Sequence, residues 1–157
     1  MIDIDFLQYQ GQLRRKQSEG KLYVFDPIRK KYLVQMPEEM VRQLVLLFLQ
    51  QAKGFSKNRL AIEKTLKVNE LTKRCDILAY GMDMQPFLLV ECKAPQIPIS
   101  QDTFRQVAIY NLPLRVPYLM VTNGIQTFCC KMDYANNGFS FLHEVPTYPG
   151  RLPNSFL

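Results

Sequence analysis

Hydrophobic and polar positions alternate along this chain with two different periods. Leu22-Tyr23-Val24-Phe25 and Tyr32-Leu33-Val34 are short alternating runs separated by the turn-like segment Asp26-Pro27-Ile28-Arg29-Lys30, which predicts a β-hairpin. From Met36 the period becomes helical. Val41, Leu44, Val45 and Phe48 recur on one face, Pro37 suits a first turn, and Glu38 and Glu39 suit the positive end of a helix dipole. Leu46, Leu47 and Leu49 widen the apolar surface, so this helix is expected to be covered on more than one side before Gly54 ends it.

Alternation returns over 59–68, where Leu60, Ile62, Leu66 and Val68 predict a strand, and Asn69-Glu70 marks a turn. A second strand is predicted over 72–80 and a third over 87–92. The continuous apolar run of the third reads as a central strand buried on both faces. Pro95 and Pro98 keep the next segment extended. Ser100 is placed as the N-cap of a helix over 101–112, with Asp102 in its first turn. Tyr118–Thr122 predicts another buried strand, Asn123-Gly124 a turn, 127–132 the hairpin partner, and 139–142 a last short strand. Residues 1–20 read as an irregular or partly helical lead-in, and residues 146–157 as an irregular, proline-rich tail. The order of elements predicts an α/β fold, a central mixed sheet flanked by helices, in a single domain over 1–157.

Composition adds two constraints. The net charge of +6 and pI of about 9.2 favour a polyanionic partner such as nucleic acid, with basic groups at Arg14-Arg15-Lys16, Arg29-Lys30-Lys31, Lys53/Lys57/Arg59 and Lys73-Arg74. The longest apolar run, Leu44–Leu49, is far too short to span a bilayer, and the acidic N-terminus lacks the features of a signal peptide. A cytoplasmic protein with no membrane association is therefore expected. Cys75, Cys92, Cys129 and Cys130 form no C-x-x-C pair and His143 is the only histidine, so a zinc site is not expected. The cysteines read as reduced, buried thiols that fill the core.

The candidate chemistry lies at the end of the third strand. In Glu91-Cys92-Lys93 the period of 2 puts the carboxylate and the ammonium on one face and the Cys92 side chain on the other. Asp76 precedes this group at the middle of the neighbouring strand. Asp76, Glu91 and the backbone carbonyl of Cys92 would supply hard oxygen donors for a divalent metal. Lys93 would stabilise charge on a phosphate. Gln106 and Tyr110, four apart, share a helix face suited to a nucleic-acid backbone. Blander alternatives exist for each: a structural ion pair, a half-buried tyrosine, simple dipole capping by Glu38 or Glu39. Arg42 would either contact a phosphate or pair with Glu38.

Arg74-Cys75-Asp76, Leu89-Val90-Glu91-Cys92-Lys93-Ala94-Pro95 and Gln106-x-x-x-Tyr110, in this order, resemble the PD-(D/E)xK nuclease superfamily. More narrowly, the chain resembles the N-terminal nuclease domain of type I restriction enzyme R subunits. Pro37-Glu38-Glu39-Met40-Val41-Arg42-Gln43 is similar to that family's opening helix, and Val116–Gly124 to its later strand and turn. The resemblance covers about residues 20–145 and implies a restriction-endonuclease-like mixed sheet and Mg²⁺-dependent cleavage of DNA, with Mn²⁺ as a substitute. It implies Asp76 and Glu91 as metal ligands, Lys93 as catalytic lysine, and Gln106 and Tyr110 as the DNA-contacting or site-ordering pair. The family's leading glutamate would be Glu38 or Glu39. Helical phase favours Glu38, which shares the Val41/Val45/Phe48 face and aligns with Arg42 at i+4. Cys75 departs from the pattern, which has proline there. No G-x-x-x-x-G-K-[ST] loop is present, so ATP-driven translocation is not expected of this chain. The expected partners are DNA and either a second copy or another subunit of a restriction or defence system. The alternative is a catalytically silent nucleic-acid-binding or assembly module of the same fold.

Overall fold

In the computed structural model, which describes residues 1–150, one six-stranded sheet carries a helix on each face. The chain order is β1 (Arg15–Ser18), β2 (Lys21–Asp26), β3 (Lys31–Val34), α1 (Pro37–Gln51), β4 (Leu60–Val68), β5 (Leu71–Tyr80), β6 (Pro86–Cys92), α2 (Gln101–Asn111), β7 (Tyr118–Thr122), β8 (Thr127–Asp133) and β9 (Gly138–Phe141). Strands β4 to β9 follow one another across the sheet, all antiparallel except the β6–β7 pair. That parallel pair needs a crossover, and α2 provides it. The mixed α/β architecture expected from the sequence is the one observed. The tail beyond residue 150 lies outside the described residues.

Alternation in β5 and β6 divides the core in two. Ile77, Ala79, Leu88 and Val90 pack with Val41, Val45 and Leu49 of α1, while Leu78 and Leu89 pack with Phe104 and Ala108 of α2. The continuous apolar run of β6 is thus explained by burial on both faces. Phe104, fully buried, meets Phe128, Phe139 and Phe141 at centroid distances of 6.0, 5.9 and 5.1 Å. Burying a side chain of this size stabilises the fold by about 2–3 kcal/mol.

The lead-in is more ordered than the sequence suggests. A 3-10 helix over Phe6–Gln12 buries Phe6 and Tyr9, and Phe6 packs edge-on to Phe48 of α1 at 5.4 Å. Arg15–Ser18 forms β1, pairing antiparallel with β2, where the reading had no strand. It contains no apolar residue and is exposed throughout, so only its backbone pairing reveals it. β1, β2 and β3 make a separate three-stranded sheet in that order. No helix among the described residues is long and apolar enough to cross a membrane.

Candidate functional site

The site begins with a split between β5 and β6. Their pairing runs from Tyr80↔Pro86 to Ile77↔Val90 and stops there, although β5 continues toward Leu71 beside β4. The β4–β5 register passes from Ile62↔Ile77 to Lys64↔Cys75, leaving Glu63 and Asp76 unpaired, and Glu63 has a left-handed φ of 52°. The strand kinks where a non-glycine residue takes this strained conformation. Asp76 occupies the gap. Its Oδ2 accepts the Cys92 backbone N–H at 2.8 Å and its Oδ1 accepts from Arg42 Nη2 at 3.1 Å. A strand residue's N–H and C=O point to the same neighbour, so the Cys92 carbonyl faces this gap as well.

Beyond Val90, Glu91 and Lys93 project toward α2 while Cys92 is buried on the α1 side. Glu91, Lys93, Gln106, Val107, Tyr110 and Asn111 line an open cleft of about 330 Å³. The four residues singled out from sequence in β6 and α2 therefore converge. Burial, and next the charge of nearby Asp76, push the Glu91 carboxyl up to about 7, against the opposing pull of Lys93. Desolvation and a like charge both disfavour its ionised form. Two anchors fix α2 over the cleft. The Ser100 hydroxyl caps it by accepting from the Thr103 N–H at 3.1 Å. Asn123, in the turn after β7, donates to the Ile97 carbonyl at 2.7 Å and accepts from the Gln126 N–H at 2.6 Å.

Lys73 belongs to the same place and went unrecognised in the sequence. It is buried, with its ammonium 3.2 Å from the centroid of the exposed Tyr110 ring. Burial lowers its proton affinity, opposed by nearby Glu91. In sequence Lys73-Arg74 is one more surface pair; only the fold turns the first inward.

On the α1 side an arginine network supports Asp76. Arg42 is 6% exposed; Nη1 binds Glu39 Oε2 at 2.7 Å, Nη2 binds Asp76, and Glu38 Oε1 lies at 3.5 Å. Burial opposes the charge on Arg42, but Glu39 and Asp76 more than compensate, so its proton affinity is raised. Arg29, from the β2–β3 turn, binds Asp26, Glu39 and Glu63 at once. One correction concerns Arg42. Arg42 is enclosed by carboxylates and is not presented to a phosphate. The two candidate glutamates, Glu38 and Glu39, differ in their surroundings. Glu39 is the buried one, held by two arginines, while the Glu38 side chain is 48% exposed and contributes to the electrostatics at Glu91. Arg29 was missed because nothing in a turn sequence says which element its side chain will reach.

Among the described residues no group of three or more His, Cys, Asp or Glu side chains is arranged to hold a metal. The donors at the split are two carboxylates, Asp76 and Glu91, and one carbonyl. That set suits Mg²⁺, which accepts one or two carboxylates and keeps several waters. The crowding that raises Glu91 is also what a divalent cation would relieve. The thiols are no part of it: all four cysteines are buried and free, and burial pushes Cys75, Cys129 and Cys130 up to about 12.

Residues 37–146 match the family model for the N terminus of the type I restriction enzyme R protein, and the chain belongs to that family. The match starts at α1, so β1–β3 precede it. Among solved structures, the chain is similar to a fragment assigned to the HsdR subunit of a type I restriction enzyme from Vibrio vulnificus YJ016, at 22% identity and a TM-score of 0.50. The likeness covers 71% of this chain and 24% of that one, so this chain spans about a quarter of that structure. It supports the fold. No curated protein matches the chain.

Proposed function

We propose that the chain is a Mg²⁺-dependent deoxyribonuclease domain of the PD-(D/E)xK type, acting in a restriction system in the cytoplasm. The observation that carries this reading is the convergence of Asp76 with Glu91 and Lys93 at the split between β5 and β6, beside a cleft that Glu91 and Lys93 line together with Gln106 and Tyr110. Asp76, Glu91 and the Cys92 carbonyl would hold the metal, which when bound supplies charge neutralisation at the phosphate and an acidified water. Lys93 places a positive charge where negative charge develops on the scissile phosphate. Gln106 and Tyr110 orient the sugar–phosphate backbone across the cleft, and Lys73 orients the Tyr110 ring. Arg42 holds Asp76, and Glu38 is the leading glutamate of the site because Glu39 is committed to Arg29 and Arg42.

The test is cleavage of supercoiled and linear DNA with Mg²⁺ or Mn²⁺ by the wild type, Asp76→Ala and Lys93→Ala. The wild type is expected to cut, with each variant slower by about 10²-fold or more, the scale of losing a preorganised charge. Equal cutting by all three would overturn the assignment. A second reading, a catalytically silent binding module, is favoured by one observation: both oxygens of Asp76 are already engaged, by Arg42 and the Cys92 N–H. Salt-sensitive DNA binding without cleavage under either metal would establish it.

A further inference from the structure

A second cavity, of about 360 Å³, lies between the three-stranded sheet and the outer face of α1, and shares no residue with the cleft. Phe25 and Leu47 give it an apolar wall, and Arg14, Lys30 and Lys57 stand around it. Among the described residues no carboxylate lines it. The Arg14 guanidinium is held 4.5 Å above the Phe25 ring. Gln43 also lines the cavity; it is 2% exposed, and its Nε2 has no hydrogen-bond partner among the described residues. A buried donor left without an acceptor costs about 1–3 kcal/mol, so an acceptor in the cavity that draws the Gln43 amide toward it would recover that cost. The surrounding charge calls for an anion. Residues 14–31 contain seven Lys or Arg and two Asp or Glu, so five of the six net positive charges of the chain reside in this one segment.

We propose that this cavity binds a nucleotide unit. A planar base lies against Leu47 beside the Arg14–Phe25 pair, a ring nitrogen or carbonyl of the base accepts from Gln43 Nε2 once the amide turns toward it, and the phosphate is met by Arg14, Lys30 and Lys57. A fatty anion would satisfy the wall and the cations but leave Gln43 unpaired. Inorganic phosphate would satisfy the cations alone. The size fits: small-ligand sites begin at about 300 Å³. The source is either a free nucleotide or one nucleotide of a DNA strand that continues over the basic sheet. The proposal does not depend on cleavage at Asp76 and Glu91.

Binding to the full chain is measured by calorimetry in EDTA, so that no metal chemistry contributes. The probes are deoxyadenosine 5′-monophosphate, deoxyadenosine, inorganic phosphate and a single-stranded oligonucleotide. Saturable binding of the monophosphate is expected, weakened about tenfold by Gln43→Leu, the scale of one hydrogen bond. Lys30→Glu/Lys57→Glu is expected to weaken it at least as much and to flatten its salt dependence. Gln43→Leu replaces an unpaired buried amide by a side chain of similar size, so it is expected to fold; the lysine pair is at the surface and gives an independent reading. Binding of the monophosphate with no competition from the oligonucleotide supports a free nucleotide as ligand, and competition supports a nucleotide within a strand. No binding of either by the wild type overturns the proposal. So does binding unchanged in both variants, or phosphate binding as tightly as the monophosphate. Asp76→Ala is expected to bind as the wild type does, which separates failure of this proposal from failure of the nuclease reading.

Discussion

Glu91→Gln should make the protein more stable while removing a group assigned to its chemistry. The Glu91 carboxyl is raised from 4.5 to about 7, first by burial and then by Asp76. An acid raised in the folded state favours folding in its protonated form. That contribution is complete below pH 4.5 and is lost as pH rises through about 7. The gap corresponds to about 3 kcal/mol, at about 1.36 kcal/mol per tenfold change in proton affinity. Because Glu91 and Asp76 titrate together, the figure belongs to the pair. A neutral glutamine of nearly the same shape avoids the loss. At pH 8, Glu91→Gln is expected to melt roughly 6–12 °C above the wild type, using about 2–4 °C per kcal/mol for a chain of this size. At pH 4 the two should melt together. Thermal unfolding followed by circular dichroism across this range is the assay. Mg²⁺ supplies the missing counter-charge, so it should raise the wild-type melting temperature at pH 8 and leave the variant unmoved. A variant that is less stable at pH 8, or a difference independent of pH, would refute the reasoning.

Arg42→Met strands Asp76 without a cation and leaves Glu39 to Arg29 alone, and should cost about 3–5 kcal/mol in denaturant unfolding; Arg42→Met/Glu39→Gln should recover part of it, and an additive cycle would dissolve the network. Gly124→Ala should cost about 1–2 kcal/mol, because φ is +88° and the added Cβ would sit 3.4 Å from Val41 Cγ2; a neutral result would show that the turn relaxes freely. All four thiols should resist a disulfide reagent until the protein unfolds, since they are buried and Cys75, Cys129 and Cys130 are held up to about 12; one fast-reacting thiol in the native protein would contradict that. Lys73→Met should leave the fold intact but free the Tyr110 ring, seen as a changed tyrosine ring resonance; an unchanged one would remove Lys73 from the cleft.

Periodicity revealed most of the sheet because β4 to β8 bury residues and β9 packs Phe139 and Phe141 against the core, and burial imposes the pattern that is read. β1 buries nothing, so Arg15-Lys16-Gln17-Ser18 carries no pattern to read. The convergence at the cleft was legible for the same reason: a period of 2 puts Glu91 and Lys93 on one face, and i, i+4 spacing puts Gln106 and Tyr110 on another. The kink at Glu63 was not legible. A charged residue in an alternating run looks like an outward strand position, yet its left-handed φ opens the gap for Asp76. Nor could the sequence decide between Glu38 and Glu39. Their difference is made by Arg29, which arrives from another element and claims Glu39.

Charge around the split strands is unevenly balanced, and this bears on which side does chemistry. Toward α1, Asp76 and Glu39 are ion-paired in close contacts, Asp76 to Arg42 and Glu39 to both Arg42 and Arg29. Toward α2, Glu91 forms no ion pair among the described residues; Lys93 pulls on it without closing to contact. Asp76 is shared between the two sides. A cation added at the gap would therefore gain most against Glu91, with Asp76 held beside it by Arg42 and the Cys92 N–H. The two sides thus divide the work. The α1 side fixes the position of Asp76, and the α2 side leaves a carboxylate underneutralised where an incoming charge can be used.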